Sequence, residues 1–105
     1  MVEVTWTARA RKDLDGISAF IAEASPYYAQ QTEWGIFQRT LLLETHPRSG
    51  HTVKEVGDPA VREIGFGRYR IIYWLMAPRH IAIVAVVHGS RNISRSAIRS
   101  RLKKP

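Results

Sequence analysis

Apolar residues follow two different periods in the first quarter of the chain. Val2, Val4 and Trp6 alternate with polar residues, which is the period-two pattern of a half-buried strand. After Thr7, a suitable N-cap, apolar residues recur every three or four positions, as they do in an amphipathic helix. This helical stripe consists of Ala10, Leu14, Ile17, Ile21 and Ala24. We therefore expect a strand followed directly by a helix.

A second helical pattern begins at Ser25-Pro26, because serine can cap a helix and proline suits its first position. We expect this helix to run to about Thr45, since Pro47 disfavours helical angles in the residue before it. Its apolar line consists of Ala29, Ile36 and Leu43, and Trp34, Phe37 and Leu41 widen that line toward the core. The very short connection predicts an antiparallel helical hairpin.

The C-terminal half has the pattern of consecutive strands. Residues 47–59 are polar and rich in glycine and proline, which predicts an exposed loop. Three strands are expected at Val61–Phe66, Tyr69–Leu75 and Ile81–Val87, and the short turns between them predict an antiparallel meander. The last strand is apolar throughout, as in a central strand covered on both faces. A short helix is expected at Ser94–Leu102.

These elements predict an α+β fold in which two helices cover one face of a single, mostly antiparallel sheet. The 105 residues fit one domain, 1–105, with a basic C-terminal tail from about residue 92. No cysteine is present, which excludes a disulfide scaffold and thiolate zinc sites. The apolar runs are too short to span a bilayer, and the start, MVEVTW, does not resemble an export signal, so we expect a cytoplasmic protein.

Charge is divided unevenly between the two parts of the chain. Residues 1–61 carry a net charge of −2, whereas residues 62–105 carry +9, and eight of the ten cations there are arginines. Such a region attracts polyanions or acidic proteins, and the planar guanidinium pairs well with phosphates and carboxylates. The alternative is a solvated basic region that only keeps the protein soluble.

Cofactor chemistry has no support in the sequence. The four histidines are widely spaced and lack the helical pairing of a zinc site. Neither a glycine-rich phosphate loop nor a Gly-x-Ser-x-Gly nucleophile elbow occurs. We therefore predict no metal, no cofactor and no small-molecule substrate.

Four segments at family spacing carry a resemblance to known proteins over roughly residues 2–93. They are Val4-Thr5-Trp6 with Ala8 and Ala10-Arg11-Lys12-Asp13-Leu14; the spacing from Leu43 through Pro47 to Gly50; Val61-Arg62-Glu63 leading into Tyr69-Arg70-Ile71-Ile72-Tyr73; and Val87-His88-Gly89-Ser90-Arg91. Together they resemble the RelE/ParE superfamily of bacterial type II toxins. The resemblance implies a small basic cytoplasmic toxin that is neutralised by a cognate antitoxin with an acidic tail.

This superfamily contains two activities, and the first is metal-independent cleavage of mRNA on the ribosome by RelE-like members. By resemblance, the arginines of such a site map onto Arg70 and Arg91, but the tyrosine of some members falls at Ala97. His88 is the only nearby side chain that could exchange a proton near neutral pH. If the protein is a ribonuclease, its catalytic candidates are therefore Arg70, Arg91 and His88.

ParE-like members instead inhibit DNA gyrase, without a known need for catalytic residues. The hairpin directly after the first strand, the pair Arg62-Glu63 and the ending His88-Gly89-Ser90-Arg91 favour this branch. A non-toxic binding module is a third alternative. Residues expected to contact the target or the antitoxin are Arg62, Arg68, Arg70, Trp74, His88, Arg91 and Arg95. The plain alternatives are an internal ion pair between Arg70 and Glu63, and a backbone hydrogen bond for His88.

Overall fold

The structure is a computed structural model that describes residues 1–103, and its element order confirms the predicted α+β fold. The helices are α1 (Ala8–Ala24), α2 (Pro26–Leu41) and the short α3 (Arg95–Arg99). The strands are β1 (Glu3–Trp6), β2 (His51–Thr52), β3 (Val61–Phe66), β4 (Tyr69–Ala77) and β5 (His80–His88). No helix within residues 1–103 has the length and hydropathy needed to cross a bilayer.

The five strands form one sheet in the order β1-β5-β4-β3-β2. β2, β3, β4 and β5 pair antiparallel in succession, which confirms the predicted meander. β1 pairs parallel with β5, so the last strand lies inside the sheet between β1 and β4. The apolar run of β5 therefore reflects a central strand, as predicted.

Both helices of the hairpin begin at the predicted caps. The Thr7 hydroxyl accepts a hydrogen bond from the Ala10 N–H at 3.1 Å, and the Ser25 hydroxyl accepts one from the Tyr28 N–H at 3.2 Å. Pro26 lies in the first turn of α2, where its missing N–H costs nothing. α2 ends earlier than predicted, because a 3₁₀ turn at Leu42–Glu44 takes over after Leu41.

The sheet has a buried layer on each face. On the helical face, Ala10, Ile36 and Leu43 of the hairpin layer pack against strand residues such as Ile71 and Ile83. On the opposite face, called here the loop face, the cover comes from the loop before β3 and from the C-terminal segment. Its buried residues include Val53, Val56, Ile93 and Ile98, which pack in one cluster with Ile72 and Val84.

One sequence expectation on the loop face needs correction. Residues 47–59 are not simply an exposed loop, because His51–Thr52 pairs with β3 and both Val53 and Val56 are buried. Two isolated valines among polar residues give no periodic signal, which explains this error. The basic segment from about residue 92 contains a short helix within the predicted range, and Ile93 and Ile98 pack in the loop-face core. Residues 104–105 of the predicted tail lie outside the described residues.

Candidate partner-binding surface

Three of the predicted site residues meet at one end of the sheet. Tyr69 at the start of β4 stands opposite His88 at the end of β5, and the Gly89 N–H donates to the Arg68 carbonyl at 2.6 Å. The tight turn that carries Arg68 therefore lies beside the end of β5. Arg91 follows His88 closely, since its N–H donates to the His88 carbonyl at 3.0 Å.

Helix α1 lies beside this end of the sheet, and an open cleft of about 450 Å³ lies between them. We call it the sheet-end cleft and define it by Lys12, Ile17, Phe20, Tyr69, His88 and Arg91. The rings of Tyr69 and His88 pack edge to face with centroids 5.6 Å apart. The Ser90 N–H donates to His88 Nδ1 at 3.2 Å, and the Ser90 hydroxyl lies 2.7 Å from the same nitrogen, so Ser90 orients the imidazole.

The sheet-end cleft carries unpaired positive charge. Among residues 1–103, neither Lys12 nor Arg91 has a carboxylate within 4.0 Å. Asp13 also lines the cleft, but it forms an ion pair with Arg101 at 2.6 Å, so its charge is balanced. An apolar wall with two free cations suits an acidic ligand that also carries apolar side chains.

The outer side of the helical hairpin exposes large apolar side chains. The exposed set, called here the hairpin surface, comprises Phe20, Tyr27, Tyr28, Trp34, Phe37, Leu41 and Leu42. Tyr27, Trp34 and Leu41 are seven residues apart on α2, so they lie along one side of that helix. The rings of Trp34 and Phe37 are 5.9 Å apart, and 56% of Trp34 is exposed. An apolar stripe of this kind is typical of a protein interface.

The hairpin surface corrects the expectation that Trp34, Phe37 and Leu41 widen the core stripe. Ile36 and Leu43 are fully buried, and they fill the contact with the sheet. Trp34, Phe37 and Leu41 lie outside this contact on the surface of α2, where no other layer of the described fold covers them. Periodicity identified the helix correctly but could not show how wide the covered stripe is.

Arg70 lies apart from the sheet-end cleft and is occupied by two carboxylates. Its Nε and Nη2 donate to Glu63 at 2.9 and 2.7 Å, and Nη1 and Nη2 donate to Glu55 at 3.0 Å each. These hydrogen bonds lower the pKa of Glu55, and the two carboxylates raise the pKa of Arg70 further above its ordinary value. The alternative of an internal ion pair with Glu63 is therefore present in the structure.

The remaining predicted site residues are dispersed. Arg62 donates to the carbonyls of Pro59 and Gly50, both at 2.9 Å, and so holds the loop before β3. Trp74 is half-buried and packs against the loop-face core. Arg95 is exposed at the start of α3. The structure thus brings Arg68, His88 and Arg91 together but places Arg62, Arg70 and Trp74 in other surroundings.

Lys12, Phe20 and Tyr69 line the cleft but were not predicted as site residues. Lys12 and Phe20 are eight residues apart on α1, with Gly16 between them, so the three share one side of the helix. The sequence alone contains this signal, because the apolar Phe20 stands beside Lys12 and Gly16 on the polar side of an amphipathic helix. Tyr69 becomes a site residue only through its register with His88, which the sequence does not specify.

The fold and the cleft can be compared with known proteins. Residues 4–93 match the family described as the ParE toxin of the type II toxin–antitoxin system parDE. A comparison with curated protein sequences finds no match. A solved structure titled as the chromosomal ParDE toxin–antitoxin system from P. aeruginosa is similar, with a TM-score of 0.67 at 20% identity. That similarity covers 84% of this chain and 96% of the other, and at such identity it supports the fold alone. The family match spans most of the chain, and the protein belongs to the ParE toxin family of type II toxin–antitoxin systems.

Proposed function

We propose that this protein inhibits growth by binding DNA gyrase in the bacterial cytoplasm, and that a cognate acidic antitoxin neutralises it. The observation that carries this proposal is the state of Arg70, the arginine that a RelE-like nuclease would use on phosphate. Four hydrogen bonds commit it to Glu55 and Glu63. A binding toxin does not need this arginine to be free, whereas a nuclease of that kind does.

The distribution of the other nuclease candidates points the same way. Arg70 and Glu63 project from the loop face, whereas Arg91 lines a cleft on the helical side of the sheet. Ala97 stands at the position where some RelE-like members carry a tyrosine, and its methyl group has no proton to transfer. Arg70 and Arg91 therefore lie on opposite sides of the sheet, which is unsuited to a transition state that needs both arginines around one phosphate.

A ribosome-dependent mRNA endonuclease is the second candidate, and the sheet-end cleft favours it. His88 and Tyr69 can exchange protons, and Lys12 and Arg91 can stabilise a phosphorane-like transition state. This is a different set from Arg70, Arg91 and His88. The endonuclease candidate therefore predicts that Arg91→Ala and His88→Ala abolish cleavage.

The antitoxin is proposed to bind the hairpin surface and the sheet-end cleft together, because Phe20 belongs to both. An amphipathic segment can cover the apolar stripe of α2 in the helix-in-groove manner. Its carboxylates can then pair with Lys12 and Arg91, which have no carboxylate of their own within residues 1–103. Apolar cover and opposite charge are what an acidic-tailed partner provides.

Induced expression without the antitoxin distinguishes the two candidates. We expect plasmid DNA to lose negative supercoiling before transcripts acquire new ends. New RNA ends at codon positions with normal supercoiling would replace the gyrase proposal by the nuclease one. Arg91→Ala and His88→Ala should be used as the active-site variants, since Arg70→Ala would also disturb the fold.

A further inference from the structure

The central strand β5 has a free edge beyond the end of β1. β1 pairs with β5 only from His80 to Ile83, whereas β5 continues to His88 beside β4. The register with β4 slips at this point, because Ile83 is opposite Tyr73 but Ala85 is opposite Ile72. Val84 is the extra residue of this β-bulge. Such a bulge changes which backbone groups face the edge, and here the Val84 carbonyl and the Val86 N–H bond to side chains outside the β4 ladder.

Two charged side chains occupy that edge in place of a strand. The Asp13 carboxylate on α1 accepts a hydrogen bond from the Val86 N–H at 3.0 Å. The Arg101 guanidinium donates to the Val84 carbonyl at 3.0 Å and to Asp13 at 2.6 Å. We call this pair the edge clasp. The Asp13 carboxylate accepts from one backbone group at the edge of β5 and the Arg101 guanidinium donates to another, as the backbone of a neighbouring strand would.

The surroundings make these contacts strong and specific. The side chains of Asp13 and Arg101 are only 18% and 14% exposed, so water competes little for their hydrogen bonds. Within residues 1–103, Arg101 Nε is buried and finds no hydrogen-bond partner, so the guanidinium is held here although one of its donors is left unsatisfied. The clasp joins α1 to a residue 88 positions later, and Arg9 adds a weaker contact to Ser100 at 3.3 Å.

We propose that the edge clasp is a surrogate strand that closes the free edge of β5 and locks the C-terminal segment onto the sheet. An open strand edge exposes unpaired N–H and C=O groups that recruit other strands. With the clasp closed, these groups are satisfied by side chains of the same chain.

Hydrogen exchange of the Val86 amide, followed by NMR, tests the clasp directly. Asp13→Ala removes the acceptor of the Val86 N–H and should accelerate this exchange about tenfold or more, whereas Arg101→Met leaves that acceptor in place but less firmly held and should accelerate it less. Asp15→Ala and Arg99→Met are the matched controls, because both residues are exposed, and within residues 1–103 the side chains that hydrogen-bond Val84 and Val86 are those of Arg101 and Asp13. Their Val86 exchange should stay within about twofold of the parent. Unchanged Val86 exchange in a folded Asp13→Ala would overturn the proposal.

The charge-swapped double variant, Asp13→Arg with Arg101→Asp, separates a surrogate strand from an ordinary ion pair. It keeps the two opposite charges, but arginine cannot accept from the Val86 N–H and aspartate cannot donate to the Val84 carbonyl. We expect Val86 exchange to remain fast in the swapped protein. Recovery of the parent's slow exchange would mean that only charge pairing matters and would contradict the proposal. If Asp13→Ala does not fold, Asp13→Asn replaces it: its neutral amide oxygen is a weaker acceptor than the carboxylate, so Val86 should exchange faster than in the parent, and an unchanged rate would contradict the proposal.

Discussion

Arg70 holds two carboxylates at once, Glu55 from the loop before β3 and Glu63 from β3 itself. The side chains of Arg70 and Glu63 are only 17% and 11% exposed. At such burial, each charge depends on its partner for compensation, and removing one leaves the other desolvated and unpaired. Arg70 is therefore first a structural residue of the loop face.

Replacing Arg70 with methionine should destabilise the protein by about 2–4 kcal/mol, because Glu63 loses its buried partner. Arg68→Met is the matched control, since Arg68 is exposed in the neighbouring turn, and it should change stability by less than about 0.5 kcal/mol. Urea unfolding followed by circular dichroism measures both. Equal stability of the two variants would contradict the structural role of Arg70.

The same network predicts a specific pH dependence. Arg70 lowers the pKa of Glu55 from its ordinary 4.5, so ionised Glu55 stabilises the folded state more than the unfolded one. This contribution is complete above pH 4.5 and is lost as the pH falls through the lower folded pKa. We expect the stability difference between the parent and Arg70→Met to shrink in acid. Unfolding curves at pH 7 and at successive steps below pH 4.5 measure it, and a constant difference would argue against the network.

At the scale of elements, Gly35 in the middle of α2 marks a close approach between helix and sheet. A Cβ at this position would lie 2.1 Å from Cζ of Phe66 on β3. A glycine normally weakens a helix by about 1 kcal/mol relative to alanine. Here it lets the Phe66 ring pack directly against the helix backbone.

Opposite effects are therefore expected from the same substitution in the two helices. Gly35→Ala should destabilise the protein by about 1–2 kcal/mol despite better helix propensity, because Phe66 must leave its place. Gly16→Ala in α1 meets no atom within 4 Å and should stabilise by about 0.5–1 kcal/mol. Thermal unfolding of both variants gives the comparison. A stabilising Gly35→Ala would show that the contact with Phe66 is unimportant.

Local signals were sufficient for most of the fold. The caps at Thr7 and Ser25 and the period-two strand at Val4 act within a few residues, so the sequence predicts them well. The burial of Val53 and Val56 depends on a face of the sheet that only tertiary structure creates.

The candidate site was predictable only in part. Two residues of the sheet-end cleft, His88 and Arg91, follow from charge and from the family resemblance, and Arg68 lies in the neighbouring turn. Lys12 and Phe20 reach the cleft only because α1 crosses the end of β5. The place of Lys12 and Phe20 in the cleft therefore follows from the tertiary fold and could not be predicted from the sequence.

At the scale of the whole molecule, two kinds of surface share Phe20. The hairpin surface offers apolar cover, and the sheet-end cleft offers free cations beside it. An acidic amphipathic partner can use both at once, which ties its affinity to salt concentration and to apolar contact area.

Charge reversal in the cleft should weaken antitoxin binding more than the same change in charge elsewhere. We expect Lys12→Glu with Arg91→Glu to reduce affinity at least about tenfold at low salt, since each lost ion pair is replaced by repulsion. Lys54→Glu with Arg79→Glu is the matched control, because these exposed cations lie outside the cleft. Calorimetric titration with the cognate antitoxin measures both pairs. Equal losses would mean that only net charge matters.

Truncation of Trp34 tests the contribution of the hairpin surface to antitoxin binding. Trp34→Ala should weaken the antitoxin complex by about 2 kcal/mol or more, as expected of an aromatic anchor at an interface. Because 56% of Trp34 is exposed, the stability of the free toxin should change little. The same titration gives the affinity, and urea unfolding gives the stability. A large loss of stability with unchanged affinity would exclude Trp34 as an anchor.

The most direct test of the proposed function is a supercoiling assay with purified gyrase and purified toxin. We predict that the toxin blocks supercoiling of relaxed plasmid, that Arg70→Met follows the parent whenever it remains folded, and that stoichiometric antitoxin restores activity. Supercoiling that proceeds unchanged at micromolar excess of folded toxin would contradict the central claim.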